Sequence, residues 1–210
     1  MLISTEELAW DPKVDSEEIA VAADDGTVTL RGTVGSFRKK REARKAAERV
    51  YGVLYVNNDL NVRILDENRH DDADLRGDVL QALMLDTLVP NTIDANVKYG
   101  FVTLTGTADW QYQRDEAEFI AGNVGGLTGV ENDVYLTSPT PYAGVVKDSI
   151  KKAMKRDAKL DAENVDVDTM NGIAVLTGSV RSWAEHDSAV QAAWPAPGVT
   201  DVDDRLAICY

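Results

Sequence analysis

An α+β protein built from three tandem α-β-β-α-β modules is what this sequence predicts, and three observations carry the prediction. Glycine recurs at fixed spacing. Gly26, Gly100 and Gly172 are followed six residues later by Gly32, Gly106 and Gly178, and twenty residues after those by Gly52, Gly126 and Gly198. Apolar residues alternate with period two on both sides of the first glycine of each set, then recur at helical spacing before the third. With only 15 Gly in 210 residues, the same two intervals in three places, offset by 74 and then 72 residues, mark an internal triplication.

Each copy reads in the same order. A first helix is expected roughly from Asp74 to Leu85 in copy two and from Ala143 to Ala158 in copy three; copy one has only "STEELAW" there, a helix clipped to about two turns. A strand follows, with Ile19, Val21 and Ala23 on one face, matched by Ile93, Ala95 and Val97 and by Val165, Val167 and Thr169. Asp25-Gly26 and Asn171-Gly172 are favoured in tight hairpin turns where both central residues take positive φ; Tyr99-Gly100 is a less typical pair. The second strand carries Val28 and Leu30, then Val102 and Leu104, then Ala174 and Leu176. Ser36, Asp109 and Ser182 are expected to cap the next helix, with Glu185 completing a capping box in copy three.

That helix presents Ala43, Ala46, Ala47 and Val50, matched by Ala117, Ile120, Ala121 and Val124 and by Ala189, Ala192, Ala193 and Ala196, at i, i+3, i+4, i+7. The small residues predict close approach to the sheet. Gly52 and Gly126 suit a left-handed helix stop, and Pro195 and Pro197 end the third helix near Trp194. A last strand carries Val56, Leu60 and Val62, then Val130, Val134 and Leu136, then Val202, Leu206 and Ile208.

The modules are expected at 1–66, 67–138 and 139–210, each a three-stranded mixed sheet packed by two helices, joined by the short polar linkers 65–72 and 137–141 into a compact three-lobed body. A unit of about 70 residues is marginal alone. The clipped helix of module 1 predicts a bare sheet face covered by another module or a second subunit.

Composition narrows the function classes. With 44% hydrophobic and 28% charged residues, the chain reads as globular, and it holds no apolar run of membrane-spanning length. The start, "MLISTEELAWDP", has neither a basic region nor an apolar core of signal-peptide length, so a cytoplasmic location is expected. Cys209 is the single cysteine and His70 and His186 the two histidines, too few for a Cys- or His-rich metal site; a metal role is otherwise undetermined. A net charge of −14 argues against nucleic acid as partner.

The strand V-x-L-x-G, then a helix, then G-V-x-x-V-x-N resembles the BON family (bacterial OsmY and nodulation). Here it stands as "VTLRG…GVLYVNNDL", "VTLTG…GLTGVENDV" and "AVLTG…GVTDVDDRL". The resemblance implies an α/β module of stress-induced and envelope proteins, with roles in phospholipid contact, potassium sensing or chaperone-like binding. It implies no common catalytic residues. Many members are exported, a feature this start does not share.

The basic residues are the most suggestive chemistry. "RKKREARKAAER", 38–49, has net charge +5 and "KDSIKKAMKRDAK", 147–159, +4, leaving about −23 elsewhere. On helical wheels Arg38, Arg41, Lys45 and Arg49 lie opposite the alanine face, and Lys151, Lys152, Lys155 and Lys159 opposite Ile150, Ala153 and Met154. Two such faces suit anionic lipid, or acidic faces of a protein partner; a plain solvated face is the alternative. The nine repeated glycines read as turns and caps rather than ligand contacts, since no phosphate-loop motif occurs.

Asn58, Asn132 and Asp204 occupy one repeated position among apolar neighbours and are read as ties to the preceding loop, or as orienting carbonyls around a bound potassium ion. Trp110 and Trp183, with Phe37, are read as packing at helix starts, a ring-lined pocket being the alternative. Ser182 and His186 are one helical turn apart, but nothing supplies an orienting acid or an oxyanion hole, so no enzyme is expected. The reading is a non-catalytic, stress-associated binding protein that contacts anionic phospholipid, the alternatives being a potassium-responsive ion-binding protein or a chaperone-like scaffold; no cofactor is expected, a bound potassium ion belonging to the first alternative alone.

Overall fold

The computed structural model describes residues 18–64, 70–137, 143–157 and 161–209. Among them are nine strands and five helices. Module 1 holds β1 (Ile19–Asp24), β2 (Thr27–Val34), α1 (Phe37–Glu48) and β3 (Tyr55–Val62). Module 2 holds α2 (Asp72–Leu85), β4 (Ile93–Lys98), β5 (Phe101–Ala108), α3 (Gln111–Ala121) and β6 (Gly129–Leu136). Module 3 holds α4 (Ala143–Arg156), β7 (Val165–Met170), β8 (Ile173–Val180), α5 (Trp183–Ala193) and β9 (Asp201–Ile208). The first helix expected in module 1 and its "STEELAW" stretch lie outside the described residues.

Every sheet has its strands in chain order, β1-β2-β3, β4-β5-β6 and β7-β8-β9. The first pair is an antiparallel hairpin; in modules 1 and 3 the third strand adds parallel to the second, Val28 facing Val56 and Ala174 facing Val202. A parallel return needs a crossover, and the second helix of each module supplies it. Modules 1 and 2 lie in one compact unit and module 3 in another, the division falling at Leu136, with Asp109–Gln111 grouped with the second unit.

The cores follow the two periodicities. In module 1, Val28, Leu30, Val34 and Leu60 of the sheet meet Ala43, Ala46 and Ala47 of α1. In module 3, Ala174, Leu176 and Val180 meet Ala189 and Ala193 of α5, and Val146, Ile150 and Met154 of α4 join the same core. Alanine at the contact lets a helix sit close on a sheet. Val21 and Ala23 in module 1 are only partly buried, whereas Ala95, Val97 and Val167 at equivalent places are buried.

All three hairpins use the same turn. Asp25, Tyr99 and Asn171 have φ of 40°, 54° and 53°, and the glycines after them 78°, 73° and 84°. Tyr99 tolerates this because both Asp72 carboxylate oxygens accept from the turn, from Tyr99 N and Gly100 N at 2.8 Å each. The glycines six residues on are fixed differently. Gly32, Gly106 and Gly178 have φ of 137°, 120° and 121°, and a Cβ there would collide with the carbonyl oxygens of Glu18, Thr92 and Asn164.

One cap differs from expectation. Ser36 Oγ accepts from Lys39 N and Ser182 Oγ from Glu185 N, both at 3.2 Å. In module 2 the helix starts at Gln111, so Trp110 holds the equivalent position and Asp109 stands one residue further out, where its Oδ1 accepts from the Thr137 hydroxyl at 3.0 Å. In module 3, Glu185 Oε2 accepts from Arg181 N rather than from the N-cap amide.

Candidate functional site

The two basic helices are the candidate site, and burial of one face of each places their cations. In α1 the buried Ala43, Ala46 and Ala47 force Arg38, Lys45 and Arg49 into exposed positions. Arg44 Nε donates to Glu48 Oε1 at 2.7 Å, one turn on. Arg41, expected in the same open row, is turned instead into module 2. Its Nη2 donates to Asn123 Oδ1 at 2.9 Å, and its guanidinium lies 4.9 Å from the centre of the Phe119 ring. The side chain is left 17% exposed. Gly122 explains the fit, since a Cβ there would approach Arg41 Nη1 to 2.8 Å and Phe37 Cε1 to 3.2 Å. Phe119 remains 46% exposed, an aromatic edge beside the cationic face that the spacing of basic residues did not reveal.

In α4, Ile150 and Met154 are buried, and the lysines divide. Lys151 Nζ lies 2.8 Å from Asp166 Oδ1, and Lys147 Nζ lies 3.7 Å from Asp168 Oδ1, so both reach across to β7. The hydrogen bond from Lys151 holds the Asp166 carboxyl below its ordinary value. Lys152 and Lys155 are exposed, and Lys159 lies outside the described residues.

The repeated Asn/Asn/Asp position is a tie between the last strand and the second helix. Asn58 Nδ2 donates to the Lys40 carbonyl at 2.8 Å and Asn132 Nδ2 to the Arg114 carbonyl at 2.9 Å. Each carbonyl thus takes an amide hydrogen. Asp204 has no amide to donate, and its Oδ2 lies 2.7 Å from His186 Nε2. Lys40, Arg114 and His186 are equivalent in the repeat, a register legible in the sequence, though the pairing in module 3 was not read from it. His186 Nδ1 lies 3.3 Å from Asp187 Oδ1, and its ring meets Trp183 edge-on at 5.0 Å. The bond to Asp187, with help from Asp204, raises the His186 pKa against the opposing effect of burial.

Ser182 and His186 do not form a nucleophile pair, because both imidazole nitrogens face carboxylates, Nε2 to Asp204 and Nδ1 to Asp187. Glu185 is 4% exposed and accepts from Asp161 N at 2.7 Å and Arg181 N at 2.6 Å. Burial pushes its pKa up, but these two amides and the Arg181 guanidinium outweigh it and hold the carboxyl low. Phe37 packs toward Gly122 and Trp183 on His186, so the rings expected at helix starts serve separate contacts.

A hollow of about 750 Å³ lies between the end of β3 and the start of α2, with Arg63, His70, Asp71 and Asp72 around it, charges of both signs that select no ligand class. Among the described residues no group of three or more His, Cys, Asp or Glu is placed to hold a metal, and no helix is long and apolar enough to cross a membrane.

Three copies of a β-β-α-β unit, preceded by a further helix in modules 2 and 3 and with cations gathered on helix faces, define a tandem α+β repeat protein. The chain belongs to the BON domain family, whose model matches residues 4–64, 71–137 and 144–210. It is 30% identical over 147 residues to Osmotically-inducible protein Y of Escherichia coli (strain K12), covering 66% of this chain and 73% of that protein. A solved structure of CdsD, a structural protein of the type III secretion system of Chlamydia trachomatis, aligns with 99% of this chain and 91% of its own at 16% identity and a TM-score of 0.29, a likeness that carries no argument.

Proposed function

We propose that this is a non-enzymatic binding protein of osmotic stress that docks at anionic phospholipid surfaces through α1. One observation carries the reading: Arg38 and Lys45 of α1 and Arg49 at its C-cap are exposed, and the half-exposed Phe119 ring lies beside that helix at Arg41. Cations near an anionic leaflet contribute about 1 kcal/mol each, and an aromatic edge suits the headgroup layer. Lys152 and Lys155 give the second unit a smaller cationic face of the same kind. Kinship with an osmotically inducible protein supports the stress setting.

The test is co-sedimentation of the full chain with phosphatidylcholine vesicles, with and without phosphatidylglycerol, across a salt series. Binding to the anionic vesicles alone, weakening as salt rises, is expected. The triple change Arg38→Glu, Lys45→Glu, Arg49→Glu should abolish it. Equal pelleting with both vesicle types, or an unaffected triple variant, overturns the reading.

A further inference from the structure

We propose that module 3 carries a proton-operated clasp between α5 and β9, His186 against Asp204, where modules 1 and 2 hold the same two elements by a bond indifferent to protons. The three modules are an internal comparison. In modules 1 and 2 an asparagine amide on the last strand donates to a helix carbonyl, and neither the amide nor the carbonyl titrates in the physiological range; in module 2 the same amide also reaches the Glu118 carboxylate at 3.2 Å. In module 3 the tie at the same register runs instead between two titratable side chains, 2.7 Å apart. A carboxylate lies against each imidazole nitrogen, Asp204 at Nε2 and Asp187 at Nδ1, and only the imidazolium can donate to both.

The charges near the ring are accounted for. Asp187 faces it from its own helix and Asp204 from β9, while Trp183 adds an aromatic edge. Glu185 is turned to Arg181 and the Asp161 amide, and Asp203 to Arg205. No cation therefore competes for Asp204 in these contacts. The strand it holds is also the less covered one: Leu206 is only partly buried, whereas Leu60 and Val134 at the same place are buried.

The sign follows from the raised histidine value. The clasp is fully formed below the ordinary histidine pKa of 6.5, and its contribution is lost as pH rises through the higher folded-state value. Acidification thus tightens β9 and alkalinisation loosens it, with β3 and β6 unaffected.

Hydrogen exchange of the full chain at about pH 5.5 and about pH 8.5, corrected for intrinsic exchange, tests this with β3 and β6 as references in the same sample. Protection of β9 should fall about two- to fivefold more than theirs as pH rises, the effect of one partly buried ion pair. Asp204→Asn recreates the amide tie and should remove the difference; His186→Lys keeps a cation at both pH values and should also flatten it, which covers the case where Asp204→Asn does not fold. If β9 tracks β3 and β6 in the native chain, or either folded variant keeps the pH response, the clasp is refuted.

Discussion

Glu185 shows how much one buried carboxylate can organise. It joins the start of α5 to the loop before β7 by accepting from Arg181 N and Asp161 N. Removing an acceptor from two amides at a buried site costs about 1–3 kcal/mol. The carboxyl is held below its ordinary value of 4.5, so its contribution is complete above that pH and is lost as pH falls through the lower folded value. Glu185→Gln should therefore lower stability at neutral pH by about 1–3 kcal/mol and flatten the acid limb of the stability profile, as urea unfolding at stepped pH would read. A native-like acid limb in the variant would show that Glu185 is not the group responsible. Ser182 was legible as the cap; the turn of the Glu185 carboxylate to Arg181 N and Asp161 N was not, because the reach to Asp161 joins residues that no local spacing relates.

At the scale of elements, a side chain of the last strand reaches the second helix in every module, and in module 2 Arg114 Nη2 also donates to the Asn132 carbonyl at 3.0 Å. Asn132→Ala removes the bond to the Arg114 carbonyl and should cost about 1 kcal/mol, with exchange of β6 amides rising while β4 is little changed. Equal loosening of β4 and β6 would mean the tie is not local to the strand.

The elements themselves were largely written in the chain. The glycine intervals and period-two runs located every described strand, because a sheet with one buried face must alternate and its tight turns need positive φ. The Tyr99-Gly100 turn was the ambiguous one. Its stability comes from Asp72, 27 residues earlier, a tertiary contact with no local signature. The cationic site was legible only in outline. Charge spacing put Arg38, Arg41, Lys45 and Arg49 on one face and could not separate Arg41 from the three that are exposed. That distinction depends on Gly122 and Phe119 of another module leaving room for a guanidinium. Lys151 left the open set for a similar reason, an acidic residue on the neighbouring strand.

For the molecule as a whole, the Arg41 contact links modules 1 and 2 within their shared unit. Arg41→Ala should weaken that unit by about 1 kcal/mol, the scale of one partly desolvated cation–π contact, and leave the melting of module 3 unchanged. An equal downward shift of both would argue against two separate units. The distribution of chromophores makes this measurable without labels. Trp183 and Trp194 lie in module 3, whereas Tyr51, Tyr55, Tyr99, Tyr112 and Tyr135 fall in the unit of modules 1 and 2. With Trp10 and Trp110 changed to Phe, indole emission reports one body and phenol absorbance chiefly the other, so a single heating ramp watched at two wavelengths reads out both halves of the chain.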